Sequence, residues 1–170
     1  LVPKKEYEWT ISKKNGQPVE KQLNLALPRG VDVRSLIVTV GNPFRSNAEI
    51  FAKEGGEYKL LRKFEIDRSN PALNVGFIPY APVVISLPET KATEFKFTLD
   101  GGGEGEVKVV LSANPWVERY AEKSLAKMFQ TPLPMWHEYM WEVQPECSDS
   151  TLVIQPDKMI DVTPYLEGNV

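Results

Sequence analysis

The chain alternates hydrophobic and polar residues over short stretches that glycine, proline and asparagine separate. A hydrophobic residue at every second position predicts a β-strand with one face in a core and the other in water. The clearest examples are EFKFTL at 94–99 and EVKVVL at 106–111, while the apolar run SLIVTV at 35–40 is typical of a buried strand. Further strands are predicted over 6–13, 19–27 and 83–87.

The stretch EIFAKEGGEYKLLRKFEID at 49–67 predicts two strands joined by a tight turn at Gly55–Gly56. Glycine favours such a turn because it adopts positive φ without a steric penalty. In the second strand, alternation is interrupted at Leu61 and Arg62. The remaining hydrophobic residues are predicted to share one face, and these are Tyr58, Leu60, Phe64 and Ile66.

Seven or eight such strands within the first 112 residues predict an all-β fold. Each strand has one apolar face, and that face must pack against another sheet. We therefore expect residues 1–113 to form an antiparallel β-sandwich.

The pattern changes after residue 113. VERYAEKSLAKMF at 117–129 places hydrophobic residues at helical spacing and predicts a linker helix. Two short strand-like runs then flank Gln155–Asp157. We expect 114–170 to hold a linker and the start of a following, truncated β module.

Composition and charge narrow the function classes. The 170 residues carry a formal net charge of −3, which argues against a nucleic-acid partner. No run of about 18 apolar residues predicts a membrane span. The chain has one cysteine, Cys147, and one histidine, His137, so neither an internal disulfide nor a multi-histidine zinc site can form.

No cofactor or metal site is predicted. A structural calcium ion would need six to eight oxygen ligands. Asp32, Asp67 and Asp100 offer carboxylates, but no dense calcium motif surrounds them. The sequence therefore allows a structural calcium ion without indicating which residues would bind it.

No catalytic residue is predicted either. A serine triad would have to use His137, and no nucleophile elbow surrounds any serine. Glu138 and Glu142 would share one face of a helix, and paired carboxylates hydrolyse glycosides. The same spacing is common in solvated helices, so it carries no assignment of catalysis.

Five tryptophan and tyrosine residues cluster between positions 116 and 141. Such rings can stack on the flat faces of sugars, or they can pack the sandwich against a neighbouring domain. We favour packing because the rings cluster where the chain leaves the sandwich. The carbohydrate-binding candidates are Trp116, Tyr120, Trp136, Tyr139 and Trp141.

Four stretches resemble known families. RSLIVTVGNPFRSNAEIFAKEGGEYKLLRKFEI at 34–66 and ISLPETKATEFKFTL at 85–99 resemble galactose-binding-like (discoidin-type) sandwiches. LVIQPDKMIDVTPYLEGN at 152–169, preceded by 117–129, resembles bacterial α-L-rhamnosidases of glycoside hydrolase family 106. Its final part also resembles the jelly-roll sugar-binding domain of family 2 glycosidases. The chain lacks the disulfide of many discoidin domains.

This resemblance implies a jelly-roll or galactose-binding-like module of a secreted or periplasmic bacterial glycoside hydrolase that degrades polysaccharide. The module itself would not be an enzyme, because no catalytic carboxylate of these families matches a position here. It would support the parent enzyme's catalytic domain and bind glycan weakly. The alternatives are an independent carbohydrate-binding module, a family 2 type sugar-binding domain and a purely structural spacer.

Overall fold

The structure is a computed structural model, and it describes residues 6–12, 21–28, 31–70, 78–102, 105–124, 154, 156–160 and 162. Within these residues the chain forms eight β-strands, and short helices occur only after them. The strands are β1 (Glu6–Ser12), β2 (Gln22–Ala26), β3 (Asp32–Val40), β4 (Arg45–Glu54), β5 (Glu57–Asp67), β6 (Val83–Lys91), β7 (Glu94–Leu99) and β8 (Glu106–Ser112). The predicted all-β class is confirmed.

The described strands form two antiparallel sheets of four strands each. Sheet A has the order β1-β8-β3-β6, and sheet B has the order β2-β7-β4-β5. β4 pairs with β5, β3 with β6, β2 with β7 and β1 with β8, so the chain is one long hairpin folded over on itself. Nested pairing of this kind is the connectivity of a jelly roll. The predicted antiparallel β-sandwich is therefore confirmed.

Both sheets bury their apolar faces in one core between them. In sheet A, Leu36 lies between Ile85 and Leu111, and all three side chains are inaccessible to solvent. In sheet B, Phe95 and Phe97 of β7 are equally buried. Burial of each such side chain contributes about 1.5–3 kcal/mol to folding. Inward residues thus follow the alternation that predicted the strands.

The β4–β5 hairpin turns where the glycine pair predicts. Gly55 and Gly56 have φ values of +58° and +93°. Positive φ at both central residues defines a type I′ turn, whose twist matches that of the strands it joins.

A β-bulge in β5 corrects one expectation about this hairpin. Ile50 lies opposite Arg62, but the next residue, Phe51, lies opposite Leu60, so Leu61 is the extra residue. Each residue beyond a bulge changes sides relative to simple alternation. The single shared face predicted for the hydrophobic residues of β5 is therefore wrong: those before the bulge lie on the outer face, and those after it lie in the core.

β6 extends further than predicted. The sequence indicated an end at Leu87, yet the strand passes through Pro88 and ends at Lys91. β6 is an edge strand, and its register with β3 is irregular beyond Ser86. Proline is tolerated in such a place because its missing N–H leaves no central ladder bond unmade.

The chain leaves β8 through residues 113–124, which we name the strap. The linker helix predicted over 117–129 is not confirmed: helix α1 spans only Tyr120–Ser124, and 125–129 lie outside the described residues. The predicted strand-like runs near residue 155 also lie largely outside them, and the described part there contains a short 3-10 helix at Pro156–Lys158. The domain division after residue 113 stays a prediction.

Candidate functional site

The strap first crosses three serines on the outer side of sheet A. Ser35 is the register partner of both Ser86 and Ser112, so the three lie side by side. The Ser35 hydroxyl donates to the Asn114 carbonyl at 2.9 Å and accepts the Trp116 N–H at 2.8 Å. Ser112 accepts the Asn114 N–H, and Ser86 donates to the Trp116 carbonyl. Among the described residues, the Ser35 and Ser86 hydroxyls bond only to the strap, whereas Ser112 also donates to the Glu6 carboxylate at 3.2 Å.

The strap then covers the edge between β5 and β6. The Glu118 carboxylate accepts two hydrogen bonds from Arg62, at 3.0 and 3.1 Å, and one from the Ser86 N–H at 2.9 Å. Directly after it, the Arg119 N–H donates to the Val84 carbonyl at 2.8 Å. An exposed strand edge is a template for unwanted pairing, and the strap occupies that edge.

A second ion pair holds the end of the strap. Arg68 and Glu122 are 2.8 Å apart, and their side chains are only 2% and 3% exposed. The Arg68 Nε–H also donates to the Ala81 carbonyl at 2.8 Å, and Arg119 lies 3.5 Å from the same glutamate. A buried ion pair needs such additional partners, because each charge loses its hydration. Glu122 Oε2 nevertheless has no hydrogen-bond partner among the residues that the structure describes.

Two predicted aromatic candidates, Trp116 and Tyr120, lie together on the strap. Their ring centroids are 6.0 Å apart, and the ring planes are tilted by 33°. The two residues are 39% and 37% exposed, and Val117 is 51% exposed. This part of the strap therefore presents apolar surface to solvent. Outside the described residues lie the three remaining candidates, Trp136, Tyr139 and Trp141.

A second group of rings lies on the outer face of sheet B, and the sequence analysis missed it. Lys96 Nζ is 4.4 Å from the Phe51 ring centroid and 4.8 Å from the Tyr58 ring centroid. Leu60, opposite Phe51, is half exposed. The outward position of Phe51 could have been predicted, because Phe51 falls among the outward residues of β4, directly after the buried Ile50. The outward positions of Tyr58 and Leu60 could not, because the bulge reverses the side on which they lie.

A shallow pocket opens on the same sheet at the end of β7. Its volume is about 130 Å³, below the ~300 Å³ at which ligand pockets begin. At its rim, Asn47 donates to the Asp100 carboxylate from its side chain at 2.7 Å and from its backbone at 2.8 Å. These hydrogen bonds hold the pKa of Asp100 below its ordinary value of 3.8. The pocket is lined by Asn47, Glu49, Lys63, Thr98, Leu99 and Asp100.

Within the part of the chain that the structure describes, no three histidine, cysteine, aspartate or glutamate residues are placed to hold a metal ion. Likewise, no helix in those ranges is long and apolar enough to cross a membrane.

Comparison with known proteins adds no family assignment. No family model matches the chain, and no curated protein matches it. The resemblance to galactose-binding-like modules and rhamnosidases therefore stays a prediction. The described surface offers two chemistries: a strap fixed by buried polar contacts, and exposed rings suited to apolar or sugar faces.

Proposed function

We propose that this chain is a non-catalytic accessory β-sandwich of a bacterial glycoside hydrolase resembling the α-L-rhamnosidases. Its role is to hold the polypeptide that follows the sandwich in a fixed position beside it. The observation that carries this proposal is the anchoring of the strap by buried serines and Arg–Glu pairs.

A supporting module needs a stiff exit, because domains joined by a free linker move relative to one another. The strap meets this need in two ways. Its backbone is bonded to buried Ser35 and to the edge strand at Val84. Its carboxylates, Glu118 and Glu122, pair with arginines of β5 and of the loop after β5. Separating the strap from the sandwich would break both ion pairs and the hydrogen bonds to Ser86 and Val84 at once, which is unfavourable.

Amide hydrogen exchange on the full chain tests the stiffness of the exit. The N–H groups of Trp116 and Arg119 should exchange as slowly as that of Leu36 in the centre of sheet A, because opening the strap requires opening the sandwich. Rapid exchange at Trp116 and Arg119 beside slow exchange at Leu36 would show a loose linker and refute the support role.

An activity assay tests the non-catalytic part separately. The chain should release no aglycone from aryl α-L-rhamnosides at any pH between about 4 and 8, the range in which glycosidase carboxylate pairs operate. Hydrolysis that survives repurification of the chain would overturn this part of the proposal and leave the stiffness result standing.

Glycan binding at the strap is the second candidate function, and the exposed Trp116–Tyr120 pair favours it. Two rings close together can hold the apolar face of one sugar unit. Tryptophan fluorescence should change on titration with rhamnose-containing oligosaccharides, and Trp116→Ala should weaken binding about tenfold. Ile78→Ala, which removes a hydrophobic side chain that is 50% exposed and lies outside the strap, is the control. If both variants bind like the unmodified chain, the strap rings are not a sugar site.

A further inference from the structure

The outer face of sheet B carries a row of side chains that the strand register aligns. Lys96 lies opposite Asn24 on β2 and opposite Phe51 on β4, and Phe51 lies opposite Leu60 on β5. Tyr58 projects from the neighbouring row. Leu60 is 52% exposed. Two rings and a leucine thus adjoin on a face whose other outward positions are polar apart from Ala26. Contiguous apolar groups at such a place can serve as a binding surface.

The lysines on this face differ in their ion pairs. Lys53 Nζ is 2.8 Å from Glu94, and Lys63 Nζ is 3.1 Å from Glu49. Lys96 forms no ion pair with any described residue, and its ammonium group lies over the two rings instead. The face therefore carries one positive charge that no carboxylate of the described chain balances.

We propose that this face binds a saccharide that carries a carboxylate, such as a uronic acid unit within an oligosaccharide. The Lys96 ammonium group pairs with the carboxylate, and the apolar side chains beside it receive a C–H face of the sugar ring. Asn24 and Thr98, on either side of Lys96 in the sheet, offer an amide and a hydroxyl to the sugar hydroxyls.

Charge and contact strength favour this ligand. Phe51 and Tyr58 are partly buried. A cation over rings that water still reaches is held weakly, so a carboxylate can draw the ammonium group away and free the rings for the sugar. Glu49 and Glu94 flank the lysine, and the whole chain is negative at −3. A dense polyanion such as nucleic acid would be repelled here, whereas the carboxylate of a single uronic acid unit can pair with the one unbalanced lysine.

The test compares trigalacturonate with its fully methyl-esterified form, which keeps the sugar rings and removes the charge. In an NMR titration of the full chain, the acid should shift the amide signals of Phe51, Tyr58 and Lys96 and bind at least about fivefold more tightly than the ester. Added salt should weaken the acid more than the ester, because it screens an exposed charge. Lys96→Gln should abolish the preference for the acid.

The matched control is Lys91→Gln, which removes an exposed lysine from β6 of the other sheet and should keep the preference. The proposal would be overturned if acid and ester bind equally, or if both variants lose the preference for the acid to the same degree. It would also be overturned if no amide signal of sheet B shifts up to about 10 mM ligand. The shift map needs no variant, so a folding defect in Lys96→Gln cannot obscure the answer. The site is separate from the strap, and neither result decides the support role.

Discussion

At the scale of single residues, Arg62 shows how a charge can occupy a core-facing position. It lies opposite buried Ile50, where alternation favours a hydrophobic side chain. Its guanidinium group reaches Glu118 and the Ser86 carbonyl instead of entering the core. The break in alternation at Arg62 was visible in the sequence, but its partner was not, because 56 positions separate the two residues.

Asp100 gives a pH-dependent prediction. Its pKa is lowered mainly by the hydrogen bond from the Asn47 side chain. A carboxylate with a depressed folded-state pKa stabilises the fold above its ordinary pKa, here 3.8, and loses that effect as the pH falls below it. Asp100→Asn should therefore lower the urea midpoint at pH 7, and the difference should shrink towards pH 3. In an Asn47→Ala background, which removes the side-chain hydrogen bond and keeps the one from the backbone N–H, the same substitution should have a smaller effect. An unchanged pH dependence there would contradict this assignment.

Gly56 gives a conformational prediction. Its φ of +93° is strained for any residue with a Cβ, and Gly56→Ala should destabilise the fold by about 1–2 kcal/mol. Gly41→Ala is the control, because Gly41 has no positive φ and a Cβ there meets no atom within 4 Å. Urea unfolding measures both variants. Equal midpoints for the two would mean that the type I′ turn is not under this constraint.

At the scale of elements, the strands were predictable and the strap was not. β7 matches its predicted bounds at 94–99, since alternation there is unbroken. The bulge at Leu61 was not predicted, because the breaks in alternation at Leu61 and Arg62 also fit a regular strand with two exceptions. The strap depends on which sequence-distant side chains meet at the β5–β6 edge. Alternation assigns faces to strands, but it does not say which strands are neighbours.

Glu118→Gln tests how strongly the strap is held. It removes a carboxylate that is 6% exposed and leaves the Arg62 charge unpaired at a partly buried position. We expect a loss of about 3 kcal/mol in the free energy of unfolding, as for other broken buried pairs. The N–H of Ser86, which donates to the same carboxylate, should exchange faster in this variant.

Glu54→Gln is the matched control for the strap. Glu54 pairs with Lys59 at 2.8 Å, but both side chains are about half exposed, at 48% and 64%. Such surface pairs contribute about 0–1 kcal/mol. If Glu118→Gln costs no more than this control, the Arg62–Glu118 pair does not anchor the strap, and the support role loses its main observation.

At the scale of the whole molecule, the nested strand pairs differ in the length of chain that must be closed to form them. This difference in loop-closure entropy sets an order in which the pairs are expected to form. β4 and β5 meet across a turn of two residues, Gly55 and Gly56. β1 and β8 meet across almost the whole sandwich, since Glu6 lies opposite Ser112, 106 positions away. Closing a long loop costs more entropy than closing a short one, and folding slows as contacts become less local. The hairpin at the glycine pair should therefore form before the outer strands close.

Paired isoleucine substitutions test this order. Ile50 on β4 and Ile11 on β1 are both buried, so isoleucine to valine should cost about 1 kcal/mol at either position. Ile50→Val should mainly slow folding, because its contacts exist in the transition state, and Ile11→Val should mainly speed unfolding, because its contacts form later. Stopped-flow tryptophan fluorescence in urea separates the two rates. If Ile11→Val slows folding more than Ile50→Val, the sandwich closes from its outer strands inward, and the glycine-pair hairpin is not where folding begins.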